Sequence, residues 1–505
     1  MAGSDLPGEG VSLWSATTPG TDYDPLDGDL RVDAAVVGAG IAGLSTAATL
    51  DDAGLTVAVL EADRVVSGVT ARTTAKLTSL HGLVYHDLVS RVGRERARQY
   101  ATANEAAIET VAERAEQMDC EFCRRPAYTY VTDRDRRSRV RKEVEAARSL
   151  GLPAEFVDDV PLSVDADCAV RFDGQAQFHP RKYLLGLADE LESGDGHVFE
   201  ETRATDVSGG EPCRVATDRG TVTAGDVVVA THFPFQDPAG YFARAYPKRS
   251  YVLALRVRDP TPEGMYYRPG DPYVSVRPHE TEKESLVLVG SQNHKTGQGG
   301  STAERYRRVE RTARDRFDVE AVVYRWSTQD YETPDDVPFV GPIAPWRSHV
   351  YVATGYGGWG MSNGVATGAV LADEIAGTGS EWADVYDPGR LPPLESAGTL
   401  VEENADAGTE FVAGWASGSL GGDDEWLAPG EARVVRDGRD LVAEYRDEDG
   451  DRHRRSAVCP HLGCVVNWND AERTWDCPCH GSRFQFDGSV VDGPANRDLS
   501  EKSEK

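Results

Sequence analysis

Apolar positions along the chain fall into short runs that alternate between strand and helix periods. Residues 34–37 form a four-residue apolar strand, and Gly38-Ala39-Gly40-Ile41-Ala42-Gly43 follows it. Small and apolar residues up to Leu50 then read as a buried helix, and residues 56–60 as a second strand. Helical periodicity with many Arg/Glu pairs covers 87–118, residues 128–132 predict a strand and 134–150 a charged helix. A helix is expected over 182–191 and strands at 213–217 and 226–230, the last apolar throughout as in a parallel sheet. Apolar and polar residues alternate from 251 to 291, which predicts an antiparallel sheet with one wet face. A charged helix (302–316), strands at 321–326 and 350–354, and a helix of small residues through Ile375 follow. Residues 386–422, rich in Gly, Ser, Asp and Glu, read as a linker.

The first strand–turn–helix unit has the chemistry of a dinucleotide site. Gly38 allows the reversal out of the strand, Gly40 lets a pyrophosphate approach the backbone, and Gly43 lets helix and strand pack closely. Glu61 ends the second strand about 20 residues on, where a carboxylate accepts ribose hydroxyls. Residues 64–76, polar and small, carry Arg64, Thr70, Arg72, Thr73 and Thr74. This loop is placed to run along the pyrophosphate and under a flavin ring. A second glycine unit, Gly355-Tyr356-Gly357-Gly358-Trp359-Gly360-Met361, opens another helix whose N-terminus would stabilise negative charge on a reduced flavin.

Composition narrows the partners. With 84 acidic residues against 54 basic ones and a net charge of −30, nucleic acid is not expected as a partner. The basic residues comprise only 8 lysines to 46 arginines. Acid-rich, lysine-poor chains resemble cytoplasmic proteins of high-salt cells, where salt screens the self-repulsion of surface carboxylates; this halophilic reading is favoured over a merely acidic protein from a high-GC genome. Residues 1–30 carry no export signal and no apolar run spans a bilayer, so a cytoplasmic protein without an integral membrane segment is expected.

Together, Gly38–Gly43, Glu61, the 70–76 loop, Phe178-His179-Pro180, residues 227–231 and Gly357–Met361 resemble the D-amino-acid oxidase/glycine oxidase group of FAD-dependent amine oxidoreductases. The resemblance spans about residues 30–385. It implies FAD held by Gly38, Gly40, Gly43, Glu61, Arg64, Thr70, Arg72, Thr73, Thr74, Gly357, Gly358 and Met361. It also implies a discontinuous α/β, Rossmann-like FAD-binding domain (31–95, 175–240, 330–385) with an inserted α+β substrate domain (96–174, 241–329), preceded by an N-terminal extension (1–30).

Eight cysteines are present, four of them within 459–479. Cys459-Pro460-His461-Leu462-Gly463-Cys464 and Cys477-Pro478-Cys479-His480-Gly481-Ser482 have the C-x-H … C-x-x-H spacing of a [2Fe-2S] cluster with thiolates on one iron and imidazoles on the other. A Cys2His2 zinc site is the other reading; the extra cysteine in each loop speaks against it. The pattern resembles Rieske proteins of the disulfide-containing kind. The resemblance implies a small all-β domain over 423–500, with Cys459, His461, Cys477 and His480 as ligands, Cys464 and Cys479 bridged, and Ser482 beside the cluster. Phe484 stands where quinol-oxidising members carry a tyrosine, which puts a cytochrome-bc role in doubt. Cys120 and Cys123 form a CxxC without a second pair and read as structural thiols.

These parts imply an FAD-dependent dehydrogenase of an amine or amino acid, acting on CH–NH or CH–NH2 donors. Its electrons would pass to the Rieske cluster and on to an unidentified one-electron acceptor. Arg277 and His294 are candidate substrate-binding or catalytic residues. Two alternatives stand beside it. One is a redox sensor or electron-transfer module. The other is a Rieske-type oxygenase, for which His81 and His86 lack the carboxylate of a mononuclear iron site.

Overall fold

The computed structural model describes residues 6–281, 284–391, 396–417 and 426–503. Two eight-stranded sheets and a small two-sheet unit divide it. In the first sheet Leu30–Val37 lies parallel to Val57–Leu60 on one side and to Thr221–Val229 on the other. His197–Phe199 and Val350–Thr354 extend the parallel part, Cys213–Thr217 and then Ala204–Ser208 add antiparallel strands beyond Thr221–Val229, and Phe339–Pro342 pairs antiparallel with Val350–Thr354. All four residues of Val57–Leu60 are buried, as expected of a strand covered on both faces. The helices Ile41–Asp52 and Gly360–Ile375 cross on this sheet at very short range. A Cβ at Gly368 would sit 2.7 Å from the Ser45 carbonyl oxygen, and one at Gly364 2.7 Å from the Ile41 side chain. The small-residue pattern of both helices is the physical basis of that crossing.

The second sheet runs Val319–Glu332, Tyr246–Val257, Ser285–Lys295, Val274–Glu280, Met265–Arg268, Ala127–Val131, Cys168–Phe172 and Ala154–Val157. Its pairings are antiparallel apart from Met265–Arg268 with Ala127–Val131. The antiparallel strands expected over 251–291 are its long central ones, but the expected wet face is absent from them: residues 251–255, 274–279 and 286–292 are buried on both faces. The helical stretch expected over 87–118 is two helices, Tyr85–Val92 and Arg94–Ala115, broken at Gly93 with φ +84°. Glycine reaches that backbone region without a Cβ penalty, so the arginine-rich periodicity continues across a real stop.

The C-terminal unit has a three-stranded sheet (Ala432–Asp437, Asp440–Arg446, Arg452–Ser456) and a four-stranded one (Asn467–Asn469, Thr474–Asp476, Arg483–Gln485, Val490–Asp492). The linker reading of 386–422 needs correction for part of its length. Ala397–Ser417 is a 21-residue helix; residues 392–395 and 418–422 lie outside the described residues. Its alanines favour helix despite three interior glycines, and it is tied down by Lys295, which pairs with Glu403 at 2.6 Å and Asp406 at 2.5 Å. Among the described residues, no helix is long and apolar enough to cross a membrane.

Candidate active site and cluster site

A cavity of about 690 Å³ opens between the first sheet and the inserted one. Gly38 has φ +105°, and a Cβ there would lie 2.6 Å from the Ala230 carbonyl oxygen. A Cβ on Gly43 would lie 1.9 Å from the Gly38 carbonyl oxygen, and Gly40 faces the cavity itself. The three glycines thus serve turn, ligand approach and helix–strand packing. Glu61 sits on the cavity wall, and its carboxylate accepts the Ala39 N–H (2.9 Å) and the Asp63 N–H (3.1 Å). Burial pushes its carboxyl up from the ordinary range. Thr70 Oγ1 accepts the Ile41 N–H at 3.1 Å and so anchors the loop to the helix N-terminus.

The loop through Arg72, Thr73 and Thr74 lines the cavity, while its carbonyls are held from behind. Trp326 Nε1 donates to Arg72 O (2.8 Å), Trp14 Nε1 to Thr73 O (2.7 Å), and Arg277 Nη1 to Thr74 O (3.0 Å) and Ala75 O (2.7 Å). With its carbonyls engaged there, the loop turns its threonine side chains and amides to the cavity. Gly357, Gly358 and Met361 line the opposite wall. Gly357 N–H donates to Tyr331 O (2.9 Å) and Gly358 N–H to Asp330 Oδ2 (2.7 Å).

Three residues expected at the site lie elsewhere. Arg64 pairs with Glu200 and Glu201, each at 2.9 Å, outside the cavity lining. Arg277 is fully buried over the Trp14 ring and under the flavin loop, where desolvation lowers its guanidinium to about 9. His294 turns to the other face of its strand, bonds Tyr251 Oη at 2.9 Å, and burial lowers it to about 4. Its neighbour Asn293 lines the cavity instead. His81 bonds Tyr100, Thr78 and Ser362 inside the core and stacks on Trp359.

Residues not singled out beforehand complete the inserted-sheet side: Tyr267, Tyr273, Ser275, Asn293 and the Lys248–Glu332 ion pair at 2.5 Å. Lys76 stands among them, donating to Tyr266 O at 2.7 Å and to Ser275 Oγ. Burial, with Arg277 nearby, holds its ammonium well below the usual lysine range. Only a lysine closing a small-residue loop hinted at this.

The C-terminal unit carries the two cysteine–histidine loops side by side. Cys459 N–H donates to Cys464 O (2.8 Å) and Cys477 N–H to Ser482 O (2.7 Å), and each loop turns at a glycine of positive φ, Gly463 and Gly481. The Cys464–Cys479 disulfide clamps them, with Cα atoms 6.4 Å apart. Cys459 and Cys477 are buried, and the Cys477 side chain hydrogen-bonds Cys459, lowering that thiol. The His461 and His480 rings lie 5.1 Å apart. Burial lowers both imidazoles, His480 to about 4, which keeps them neutral as ligands must be. Ser482 Oγ reaches Cys459, and Phe484 is fully buried in the same core.

The cluster unit also closes the flavin cavity, since residues 489–493 belong to its wall. His232, on the opposing wall after the Thr221–Val229 strand, meets Asp492 at 3.2 Å and Asp330 at 3.8 Å. Burial alone would lower His232, but the two carboxylates hold it up at about 10. Asp492 is held below the usual carboxylate range chiefly by His232, against its own burial. The sign follows directly. The histidine's contribution is complete below its unfolded value near 6.5 and is lost as pH rises through about 10. The aspartate's contribution is present above its unfolded value near 3.8 and lost as pH falls through the lowered one. Hydrogen exchange of the 489–493 amides, corrected for intrinsic rate, should therefore be slowest below pH about 6.5, accelerate progressively as pH rises to about 10, and level off above that.

Known proteins agree with this architecture. The FAD dependent oxidoreductase family matches residues 33–374 and the Rieske [2Fe-2S] domain residues 422–502. The putative Rieske 2Fe-2S iron-sulfur protein YhfW of Bacillus subtilis (strain 168) is 35% identical over 497 residues, 97% of each chain. Glycine oxidase from Geobacillus kaustophilus has a TM-score of 0.59 at 19% identity, covering 72% of this chain and 99% of its own. L-Amino acid deaminase from Proteus myxofaciens has a TM-score of 0.60 at 13% identity, covering 77% of this chain and 100% of its own. The glycine cradle with Glu61 fits FAD, and the paired buried thiols with two neutral imidazoles fit a [2Fe-2S] cluster. The chain therefore belongs to the FAD dependent oxidoreductases and carries a Rieske [2Fe-2S] domain behind its flavin domain.

Proposed function

We propose that this protein is a dehydrogenase of a small amine or amino acid, which passes electrons from FAD to the Rieske cluster and then to an external one-electron carrier. One observation carries the reading: a single cavity joins the dinucleotide turn, a polar and aromatic pocket of the inserted sheet, and a wall of the Rieske domain. Bound FAD supplies hydride acceptance from a C–H bond beside nitrogen, and the cluster takes up electrons singly.

The chain's own residues prepare the donor. Tyr267 packs edge-on to Trp359 at 5.3 Å and lies 5.6 Å from Tyr273, giving an aromatic wall for the substrate. Among the described residues, no arginine of the inserted sheet lines the cavity; on that side stand Lys248, paired with Glu332, and the buried Lys76. Lys76 donates to Tyr266 O and Ser275 Oγ, and its burial favours the neutral amine, the form that takes a proton from a substrate ammonium.

Anaerobic stopped-flow mixing with a panel of amines and amino acids tests the reading. A substrate should bleach the flavin band, and cluster reduction should follow it. Ready reduction by ferredoxin or NADPH, with none by any amine, would favour an electron-transfer module instead. Lys76→Met should keep FAD bound but slow substrate-dependent bleaching about 10²–10⁴-fold, the usual contribution of a general base. The slowing should be greatest at neutral pH and smallest where the amine is already deprotonated. A pH-independent rate equal to wild type would remove Lys76 from the reaction.

A further inference from the structure

The strand Val319–Glu332 is the partition between the flavin cavity and the cluster domain, and its two-residue period separates their contacts. Thr328, Asp330 and Glu332 line the cavity. The residues between them turn to the Rieske domain: Gln329 Nε2 donates to Gly481 O at 2.9 Å, and Tyr331 Oη to His480 O at 3.2 Å. Tyr331 is fully buried. Its ring lies 4.7 Å from Phe233 and 4.9 Å from His232, both on the cavity wall. Its backbone carbonyl accepts the N–H of Gly357, in the glycine turn that faces the flavin. One residue therefore touches the flavin turn through its main chain, the cavity wall through its ring face, and a cluster-ligand residue through its hydroxyl.

We propose that Tyr331 is the positioning residue that couples the two redox centres, and that the His232–Asp492 pair holds the domains in the register this contact requires. The inference rests on the proposed transfer from flavin to cluster. In that transfer each electron leaving the reduced flavin converts one ferric iron of the cluster to ferrous, and the flavin's protons go to solvent. The second electron follows only after the external carrier has reoxidised the cluster. Tyr331 is itself neither oxidised nor reduced in net terms. It shortens the gap with bonded and packed atoms, where water or a void would otherwise stand.

The test uses the holoprotein and no substrate. Illumination of the flavin band with EDTA as electron donor reduces the bound FAD, and freeze-quench EPR follows the cluster. Tyr331→Leu removes ring and hydroxyl; it should slow flavin-to-cluster equilibration at least tenfold. Tyr331→Phe, which loses the bond to His480 O and the one accepted from Gln329 Nε2 at 3.4 Å, should slow it severalfold. FAD content, cluster g-values and cluster potential should stay at wild-type values in both, which a merely structural role would not leave intact together with a slowed transfer. His232→Gln should slow transfer and also deprotect the 489–493 amides. Wild-type transfer rates in Tyr331→Phe and in a folded Tyr331→Leu would overturn the inference. If Tyr331→Leu fails to fold, the Phe variant decides. A wild-type protein whose cluster is never reduced from its flavin would instead refute the underlying function.

Discussion

Cys477→Ala is expected to yield a yellow flavoprotein without an iron–sulfur centre. Cys477 is fully enclosed and hydrogen-bonded to Cys459, and its sulfur lies within 4.8 Å of both sulfurs of the Cys464–Cys479 bridge. Apart from Cys459, itself the other thiol of the proposed ligand set, no free thiol lies within the two loops to replace it, since Cys464 and Cys479 are spent on each other. Iron and acid-labile sulfide should fall to background, and the EPR signal of the reduced cluster should vanish. FAD should remain, because its cradle is built from other segments of the chain. Reduced flavin should then accumulate with the carrier unreduced, a loss of at least about a hundredfold in carrier turnover if the cluster is the outlet. A carrier still reduced at the wild-type rate would mean that electrons leave the flavin directly. The loops lose the binding energy of the cluster as well, so the C-terminal domain should melt earlier.

Gly43→Ala should abolish FAD binding and destabilise the flavin domain together. The added Cβ would stand 1.9 Å from the Gly38 carbonyl oxygen, a backbone atom within the same turn. Neither partner is a flexible side chain, so helix and strand must separate. Overpacking costs about 1–3 kcal/mol where side chains yield, and this site should reach or exceed the upper figure. Separation would also open the turn at Gly40, where the pyrophosphate must approach. The measurement is FAD stoichiometry by absorbance with a thermal melt alongside. Gly20→Ala is the control, because a Cβ there meets nothing within 4 Å and the residue lies outside the cavity lining. Full FAD content in Gly43→Ala would show that the turn tolerates the shift.

The geometry of the glycine turn with Glu61 and the pairing of the two cysteine–histidine loops were legible because each motif is local. A turn or a metal loop is specified by a few neighbouring residues whatever surrounds them. The residues that join the modules were not. His232 meets Asp492 across 260 positions, and Tyr331 meets His480 across 149; no periodicity carries such pairings. Arg277 shows a different limit. It shares the face of its strand with Ser275, which lines the cavity, but sits one step further along, beneath the Thr74 and Ala75 carbonyls. Alternation tells the face of a strand and not how deep along it a site ends. His294 fell on the wrong side because Asn293 takes the cavity face. The helix Ala397–Ser417 was hidden because its glycines and acids match a linker by composition, while its anchor, Lys295, is more than 100 positions away.

That residues 489–493 wall the flavin cavity has a bearing on biosynthesis. The dinucleotide turn, the 70–76 loop and the 357–361 turn have all left the ribosome before the cluster loops are made. At that stage the flavin site is a trough that lacks one side. Its boundary is complete only when residues 489–493 have folded against His232. Chain order thus leaves the flavin trough open on one side until the iron–sulfur module has been made.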